Sequence, residues 1–186
     1  MSSPSHYLVI DLEATCCDDN SFPREEMEII EIGAVLVDAG TLAPTKELQT
    51  FVRPIRHRKL TEFCTRLTSI TQAQVDAAPL FPGAIAALRE MVRGADILFC
   101  SWGKYDWNQL ERDARRHGVS LPLGKSHLNL KERFARQLGE PRELGVGQAL
   151  RRVRLRFDGT QHRAIDDARN IVRLLPYALG ATSATA

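Results

Sequence analysis

Two acidic side chains stand two residues apart at the end of a short apolar segment. Residues 7–12 are apolar and β-branched, which is typical of a buried strand, and Asp11 and Glu13 lie at its carboxyl end. Side chains alternate along a strand, so both acids should face one side of the sheet while the neighbouring leucines and isoleucine face the other. Two adjacent carboxylates repel each other unless they are protonated or bridged by a cation, and hard oxygen ligands suit Mg²⁺ or Mn²⁺. The pair therefore predicts a metal site, with an ordinary solvated strand end as the alternative.

Three further residues could complete such a site. Asp106 follows a predicted strand and opens a predicted helix, where an acid is more often a cap than a ligand. His162 and Asp167 lie around the start of the last predicted helix, and five residues of helix turn through about 500°. The two side chains can converge if His162 lies in the preceding loop and Asp167 in the second helical turn. From spacing alone, Asp166 is an alternative ligand.

The elements that must position these residues follow an order typical of an α/β protein. Apolar runs predict strands over residues 7–12, 29–37, 48–52, 97–101 and 127–130, and a turn makes the second and third strands a hairpin. Helical spacing predicts helices over residues 61–66, 71–77, 82–94, 105–117, 131–138, 147–153 and 164–178, with Pro82 as the first residue of the third. Three strands followed by helices that alternate with two more strands predict an α/β sandwich with a mixed sheet.

Length and composition exclude several classes of protein. The 186 residues are 44% hydrophobic and 26% charged, which argues against a disordered, collagen-like or coiled-coil chain. We expect one domain over residues 7–179, with tails over residues 1–6 and 180–186. No apolar run approaches the ~20 residues of a membrane span, the first residues do not resemble a signal peptide, and the four cysteines form no CxxC pair. These features predict a cytoplasmic protein that has no membrane partner.

The two halves of the sequence differ in charge. Residues 1–100 carry 9 Lys and Arg against 14 Asp and Glu, and residues 101–186 carry 16 against 9. An acidic half beside a basic half suits a site that holds cations and attracts a polyanion, although many charged surfaces look the same.

Taken together, these segments resemble a known family. Asp-x-Glu on the first strand, an Asp after the fourth strand and His-x4-Asp at the last helix resemble the pattern of the DEDDh family of 3′-to-5′ exonucleases. The resemblance runs from Tyr7 to about Leu175 and includes Asp-Leu-Glu-Ala-Thr-Cys, Ile-Ile-Glu-Ile-Gly-Ala-Val, Phe-Val-Arg-Pro, Phe-Cys-x-x-Leu-Thr-x-Ile and Gln-x-x-Val-Asp. These segments look like the branch that contains the histone-mRNA 3′ exonuclease and the bacterial inhibitors of the KinA pathway (KapD-type proteins).

The resemblance implies a fold, an activity and roles for five residues. The fold would be ribonuclease-H-like, with a mixed five-stranded sheet flanked by helices. The activity would be metal-dependent release of nucleoside 5′-monophosphates from single-stranded 3′ ends, with RNA favoured over DNA. Two Mg²⁺ ions, for which Mn²⁺ could substitute, would clamp the scissile phosphate, and a histidine would serve as the general base. The metal ligands would be Asp11, Glu13, Asp106 and Asp167, and the base would be His162.

Contacts to the substrate are also implied by the resemblance. Ala14 and Thr15 follow the first two acids and would lie under the terminal nucleotide, and Leu67 belongs to a segment that would pack on its base. Trp102 and Tyr105 could stack on bases or fill the core, since bases stack on aromatic side chains in single-strand readers.

Two other functions remain open at this point. Asp11-Leu-Glu13-Ala-Thr15 approximates the Asp-x-Asp-x-Thr signature of haloacid-dehalogenase-type phosphatases, in which the first Asp is the nucleophile. The second alternative is a regulatory nucleic-acid-binding protein of the same fold, which would have no need to keep all four acids and the histidine.

Overall fold

Five strands form a single mixed sheet in a computed structural model that describes residues 4–182. The strand order is β3-β2-β1-β4-β5, so the strand that carries Asp11 and Glu13 lies at the centre. β1 pairs antiparallel with β2 and parallel with β4, and this arrangement confirms the predicted mixed α/β sheet and the hairpin of the second and third strands. The strands are β1 (His6–Ala14), β2 (Ile29–Asp38), β3 (Pro44–Phe51), β4 (Ile97–Ser101) and β5 (His127–Asn129).

Seven α-helices and one short 3-10 helix (Arg24–Glu26) accompany this sheet in the described part of the chain. The third α-helix begins at Phe81, so Pro82 is its second residue and not its first as predicted. β3 begins at Pro44, four residues before the predicted start, because the first half of this edge strand is exposed and polar and so carries no apolar run. The helices are α1 (Glu62–Thr68), α2 (Gln72–Asp76), α3 (Phe81–Met91), α4 (Tyr105–His117), α5 (Leu130–Gln137), α6 (Val146–Arg152) and α7 (Ala164–Leu179).

The two faces of the central strand are buried in different layers. Leu8, Ile10 and Leu12 pack with α3 and α4 on one face. Val9 packs on the other face, among side chains of α5, α6 and α7. The alternation predicted from the sequence is therefore confirmed, and it directs Asp11 and Glu13 to the face that α7 covers.

A buried carboxylate fixes α4 against the sheet. Asp113, which is 1% exposed, accepts a hydrogen bond of 2.8 Å from the Ile29 backbone N–H, and it also receives donors from Gln109 and Arg116. A buried carboxylate requires such partners, because an unpaired charge is costly to bury. Asp106 lies about two turns earlier on the same helix, so this anchor also sets its position.

The first turn of α7 lies directly on β2. A Cβ atom placed on Gly33 would stand 2.1 Å from the Ala164 carbonyl carbon and 2.3 Å from the Ile165 nitrogen. Gly33 pairs with Asp11 in the sheet, so the glycine allows the backbone of α7 to approach the sheet beside the acids. Any side chain at this position would push the helix away.

We expect Gly33→Ala to cost at least about 1–3 kcal/mol of unfolding free energy, the usual range for overpacking a core. The added methyl group meets backbone atoms, which cannot rotate out of its way as the end of a side chain can. Denaturant unfolding measures the change, and Gly40→Ala is the matched control, since its Cβ would meet only the Asp38 carboxylate at 3.5 Å. Equal stability of the two variants would contradict the close approach of α7.

Parts of the predicted tails lie outside the described residues, namely residues 1–3 and 183–186. Within the described part, β1 begins at His6, one residue inside the predicted tail, and the backbone N–H groups of Ser5 and His6 each donate to the Asp96 carbonyl at 3.0 Å. No helix within residues 4–182 combines the length and the apolar character that crossing a bilayer requires.

Candidate active site

Three carboxylates meet at the end of the central strand. Asp11 and Glu13 extend from β1, and Asp167 extends from the first turn of α7. Their nearest carboxylate oxygens all lie within 4.8 Å of one another. Asp167 lies in the first helical turn and not in the second as predicted, because α7 begins at Ala164, the predicted start, and Asp167 is only its fourth residue.

The other two predicted residues lie on the same cleft. Asp106 enters it from the first turn of α4 and is 5% exposed. His162 enters it from the loop that precedes α7. The cleft has a volume of about 550 Å³, and Asp11, Glu13 and Asp167 also line it. One cleft thus brings together all five residues that the sequence proposed as metal ligands and general base.

Two neighbouring acids of α7 hold the loop that carries His162. The His162 backbone has φ of 60°, and its N–H donates to Asp167 Oδ2 at 2.8 Å. The Thr160 N–H donates to Asp166 Oδ2 at 2.9 Å, and Arg169 contacts the other oxygen of the same carboxylate. Asp166 does not line the cleft, so the structure assigns the two adjacent aspartates different tasks.

Burial and mutual repulsion favour the protonated forms of the clustered acids. Burial raises the pKa of Asp11 well above its ordinary value, and the charges of Asp106 and Asp167 raise it further. Burial and the charge of Asp167 raise the pKa of Glu13 to about 8. Burial raises the pKa of Asp106 to about 7 and that of Asp167 to about 6. Without a counter-charge, the cluster therefore takes up protons near neutral pH.

The donor set fits a divalent cation. Carboxylate oxygens are the ligands that Mg²⁺ and Mn²⁺ prefer, and ligands at about 2.0–2.1 Å from one ion lie at most ~4.2 Å apart. The three oxygen atoms that approach within 4.8 Å of one another need only small side-chain movements to share an ion. Binding of a cation would also displace the protons that these carboxylates hold in the metal-free protein.

We expect the metal-free protein to lose stability as the pH rises from about 5 to 8. Glu13 has a pKa of about 8 in the folded protein against 4.5 ordinarily, and Asp106 has a pKa of about 7 against 3.8. The folded state thus binds more protons than the unfolded state in this interval, and the resulting stabilisation is lost as the pH rises through the folded-state pKa values. Melting temperatures in EDTA across this range measure the effect.

The matched control for this prediction is Glu13→Gln, which removes one titrating group and keeps its shape. Its melting temperature should fall less steeply with pH than that of the wild type, and saturating Mg²⁺ should flatten the wild-type profile. The same slope in both proteins would show that the acid cluster does not control stability.

The predicted substrate contacts fall into two groups. Trp102 and Tyr105 line the cleft. The Trp102 indole N–H donates to the Leu144 carbonyl at 2.8 Å while its ring packs on Phe134, so part of this side chain belongs to the core. Arg24 lies over the Tyr105 ring, 5.6 Å from its centre.

The second group does not line the cleft. The Thr15 hydroxyl accepts a hydrogen bond of 3.0 Å from the Glu28 N–H, and Ala14 is 7% exposed. Leu67 lies on α1 and is 37% exposed, which is uncommon for a large apolar side chain in this protein. The structure therefore leaves Leu67 free to contact a ligand, whereas the side chains of Ala14 and Thr15 are enclosed.

Glu31 is a supporting residue that the sequence analysis left out of the site. Its carboxylate is fully buried on β2 and accepts hydrogen bonds from the Ala164 N–H at 3.1 Å and from the Arg163 guanidinium at 3.2 Å. It therefore ties the start of α7 to the sheet beside Glu13, with which it pairs across the strands. The sequence does contain a signal for this supporting role. Glu31 is an acid in the middle of the apolar run Ile29–Val37, and an acid buried in such a run requires a partner.

The part of the cleft that comes from residues 145–161 also went largely unpredicted. It is formed by α6, the turn before it and the loop before α7, which lie far apart in sequence from β1. The additional residues that line the cleft there are Gly145, Val146, Gly147, Gln148, Arg151, Phe157 and Gln161. Among these residues only Arg151 has a side chain of a type that commonly binds phosphate, and its sequence neighbourhood does not place it in the site.

A mixed five-stranded sheet with acids at the end of its central strand is typical of the ribonuclease-H-like exonuclease class. Residues 8–175 match the protein-family model described as Exonuclease, so this chain belongs to that exonuclease family. The predicted family is confirmed, and the match separates the chain from the haloacid-dehalogenase-type phosphatases considered above.

Two curated relatives illustrate the similarity. Mouse 3′-5′ exoribonuclease 1 is 32% identical over 179 residues, which cover 91% of this chain and 51% of the mouse protein. The 3′-5′ exonuclease Snipper of Drosophila melanogaster is 29% identical over 195 residues, covering 94% of this chain and 69% of that protein. The chain thus spans about half the length of the mouse relative.

Solved structures show the same fold. The nuclease domain of 3′hExo, a DEDDh family member bound to rAMP, superposes with a TM-score of 0.88 and 27% identity, covering 100% of this chain and 96% of that one. A 3′-exonuclease from a structure of 3′-end-specific recognition of histone mRNA stem-loop has a TM-score of 0.88 and 26% identity, covering 97% and 84%. The predicted resemblance to the histone-mRNA exonuclease branch is therefore confirmed.

Proposed function

We propose that this protein is a metal-dependent 3′-to-5′ exonuclease that releases nucleoside 5′-monophosphates from single-stranded 3′ ends. The observation that carries the proposal is the convergence of Asp11, Glu13 and Asp167 within 4.8 Å, in a cleft that Asp106 and His162 also line. Membership of the exonuclease family supports the same reaction class. A protein that only binds nucleic acid would not require five such groups in one cleft.

Four carboxylates would hold two Mg²⁺ ions, for which Mn²⁺ substitutes. Asp11, Glu13 and Asp167 can share one ion, and Asp106 faces the same space from α4. When bound, the ions supply Lewis-acid stabilisation of the scissile phosphate and of the departing 3′-oxygen. The protein fixes the ligands from three directions: β1 is at the centre of the sheet, Asp113 anchors α4, and Glu31 anchors α7.

His162 would act as the general base. Its backbone N–H is bound to Asp167, so the loop cannot move independently of the acid cluster. The imidazole would take the proton of the attacking water, while the remaining carboxylates keep their negative charge for the cations. General-base catalysis of this kind typically contributes about 10²–10⁴-fold to a rate.

RNA is the proposed substrate class over DNA. The mouse relative is named an exoribonuclease, and the structural neighbours include proteins described with rAMP and with a histone mRNA stem-loop. A cytoplasmic location is part of the same proposal, and it is supported by four cysteines that all remain free thiols in the structure.

A circular single strand should survive incubation with the protein and Mg²⁺, whereas a linear strand of the same sequence should be degraded. The proposed reaction starts at a free 3′ end, which the circle lacks. A linear RNA labelled at its 5′ end should give a ladder of descending length, and a 3′ label should appear first in mononucleotide. The equivalent DNA strand, digested in parallel, measures the preference for RNA.

Internal cleavage of the circle would instead identify an endonuclease. Tight binding of linear RNA without any shortening would identify a non-catalytic nucleic-acid-binding protein of the same fold. Consumption of p-nitrophenyl phosphate with no effect on oligonucleotides would point to a phosphatase.

A further inference from the structure

The part of the cleft formed by α6 carries an arginine that has no acidic partner within residues 4–182. Arg151 lies on α6 and lines the cleft, and within residues 4–182 it forms no ion pair and no hydrogen bond through its side chain. Its neighbour Arg152 pairs with Glu140, and Arg163 on the next loop pairs with Glu31. A guanidinium that faces a cleft without a protein counter-charge remains available to an anion of the ligand.

A second donor lies beside Arg151. If Gly147 carried a Cβ atom, that atom would stand 3.6 Å from an Arg151 Nη1 and 3.6 Å from Gln161 Nε2. The two nitrogen atoms therefore lie within about 7 Å of each other, above a residue that has no side chain. One phosphate group can bridge donors at this separation, because each of its oxygens accepts a hydrogen bond of about 2.9 Å.

The backbone on both sides of Gln161 is fixed. The Thr160 N–H is bound by Asp166, and the His162 N–H is bound by Asp167. The backbone of Gln161 is therefore held at a set distance from the acid cluster, and its exposed side-chain amide can reach a ligand beside that cluster.

We propose that Arg151 and Gln161 form a subsite for the phosphate one nucleotide upstream of the scissile bond. The inference rests on the proposed function, since the acid cluster with its cations would occupy the scissile phosphate itself. Arg151, the cationic side chain among the residues that line the cleft, would then contact the next phosphate of the strand. Arg151 is a positioning residue in this account, because it does not contact the reacting atoms.

The inference predicts that the rate of hydrolysis depends on the phosphate upstream of the scissile bond. The dinucleotide pApA carries a phosphate upstream of its scissile bond, and ApA does not. We expect the wild type to hydrolyse pApA with kcat/KM about 10-fold above ApA, the lower range for a charge-assisted hydrogen bond at an exposed site. Arg151→Ala should lower kcat/KM for pApA about 10-fold more than for ApA, through a higher KM for pApA. Gln161→Ala should reduce the preference by a smaller factor, about 3-fold.

Arg152→Ala is the matched control, because it removes an equal charge from the adjacent residue, which is paired with Glu140. Its preference for pApA should equal that of the wild type. Arg151→Lys should keep part of the preference, since the charge remains but the bidentate geometry does not. Equal loss of rate on pApA and ApA in Arg151→Ala would overturn the subsite, and so would a wild type that does not distinguish them.

Binding measurements test the subsite independently of the proposed exonuclease activity. Calorimetric titration of pApA and ApA into His162→Ala, with Mg²⁺ present, measures the subsite in a variant whose turnover should be about 10²–10⁴-fold slower than that of the wild type. Tighter binding of pApA that Arg151→Ala abolishes in this background would support the subsite even if the wild type hydrolysed neither dinucleotide, a result that would overturn only the proposed exonuclease. Equal affinity for both dinucleotides would overturn the subsite even if the wild type were an active exonuclease.

Discussion

Asp11→Ala should abolish 3′-terminal hydrolysis, with a rate at least about 10³-fold below that of the wild type. Asp11 lies at the centre of the acid cluster, and removing it breaks the group of oxygens that can share an ion. Electrostatic stabilisation of developing charge in an active site is by itself worth about 10²–10³-fold per group, and the loss of a cation removes more than one such contact. Release of mononucleotide from a 3′-labelled RNA in Mg²⁺ measures the rate.

The variant should nevertheless fold. Asp11 repels its neighbours in the metal-free protein, so its melting temperature in EDTA should equal or exceed that of the wild type, whereas the stabilisation by Mg²⁺ should be lost. Glu90→Ala is the control, because Glu90 is an exposed acid on α3 that pairs with Arg93. An Asp11→Ala protein with normal activity and normal stabilisation by Mg²⁺ would show that the metal site lies elsewhere.

His162→Ala should lose about 10²–10⁴-fold of the rate at neutral pH while it keeps its affinity for cations. The backbone N–H that binds Asp167 is retained in this variant, so the acid cluster keeps its geometry. Residual activity should rise with pH, because hydroxide can replace the missing proton acceptor. His162→Asn is a useful second variant, since asparagine tolerates the φ of 60° at this position better than alanine.

A comparison with Asp167→Asn distinguishes the role of His162 from that of the acids. The amide oxygen of asparagine can still accept the His162 N–H, but the negative charge is removed. Calorimetric titration of Mn²⁺ should therefore show weaker binding to Asp167→Asn and unchanged binding to His162→Ala. Equal loss of Mn²⁺ affinity in the two variants would identify His162 as a ligand and contradict its role as a base.

The strand that carries the chemistry was predictable because its pattern is local. Alternating side chains of β1 placed Asp11 and Glu13 on one face, and the structure confirms that Leu8, Ile10 and Leu12 lie on the other. β3 was harder to predict, since its exposed residues carry no apolar run and its pairing with β2 comes from backbone hydrogen bonds.

The contacts that hold α7 in place could not be derived from periodicity. A glycine inside a predicted strand, such as Gly33, indicates only a bulge or close packing. Nothing near it in the sequence indicates that Ala164 lies on top of it. The same holds for Glu31, whose partners Arg163 and Ala164 are more than 130 residues away. Long-range contacts of this kind decide where Asp167 lies, so the spacing His-x4-Asp left Asp166 as an alternative. In the structure Asp167 lies with Asp11 and Glu13, whereas Asp166 accepts the Thr160 N–H.

The measurement that tests the account most directly is the identity of the first product released from a linear RNA. The RNA is incubated with protein stripped of metal, with the same protein supplied with Mg²⁺, and with the Mg²⁺-supplied protein in excess EDTA, and each product is analysed by mass spectrometry. We predict the nucleoside 5′-monophosphate of the 3′-terminal residue in the Mg²⁺ sample and no product in the other two. Full activity in excess EDTA, or a first product from the 5′ end or from within the strand, would contradict the proposed metal-dependent 3′-to-5′ exonuclease.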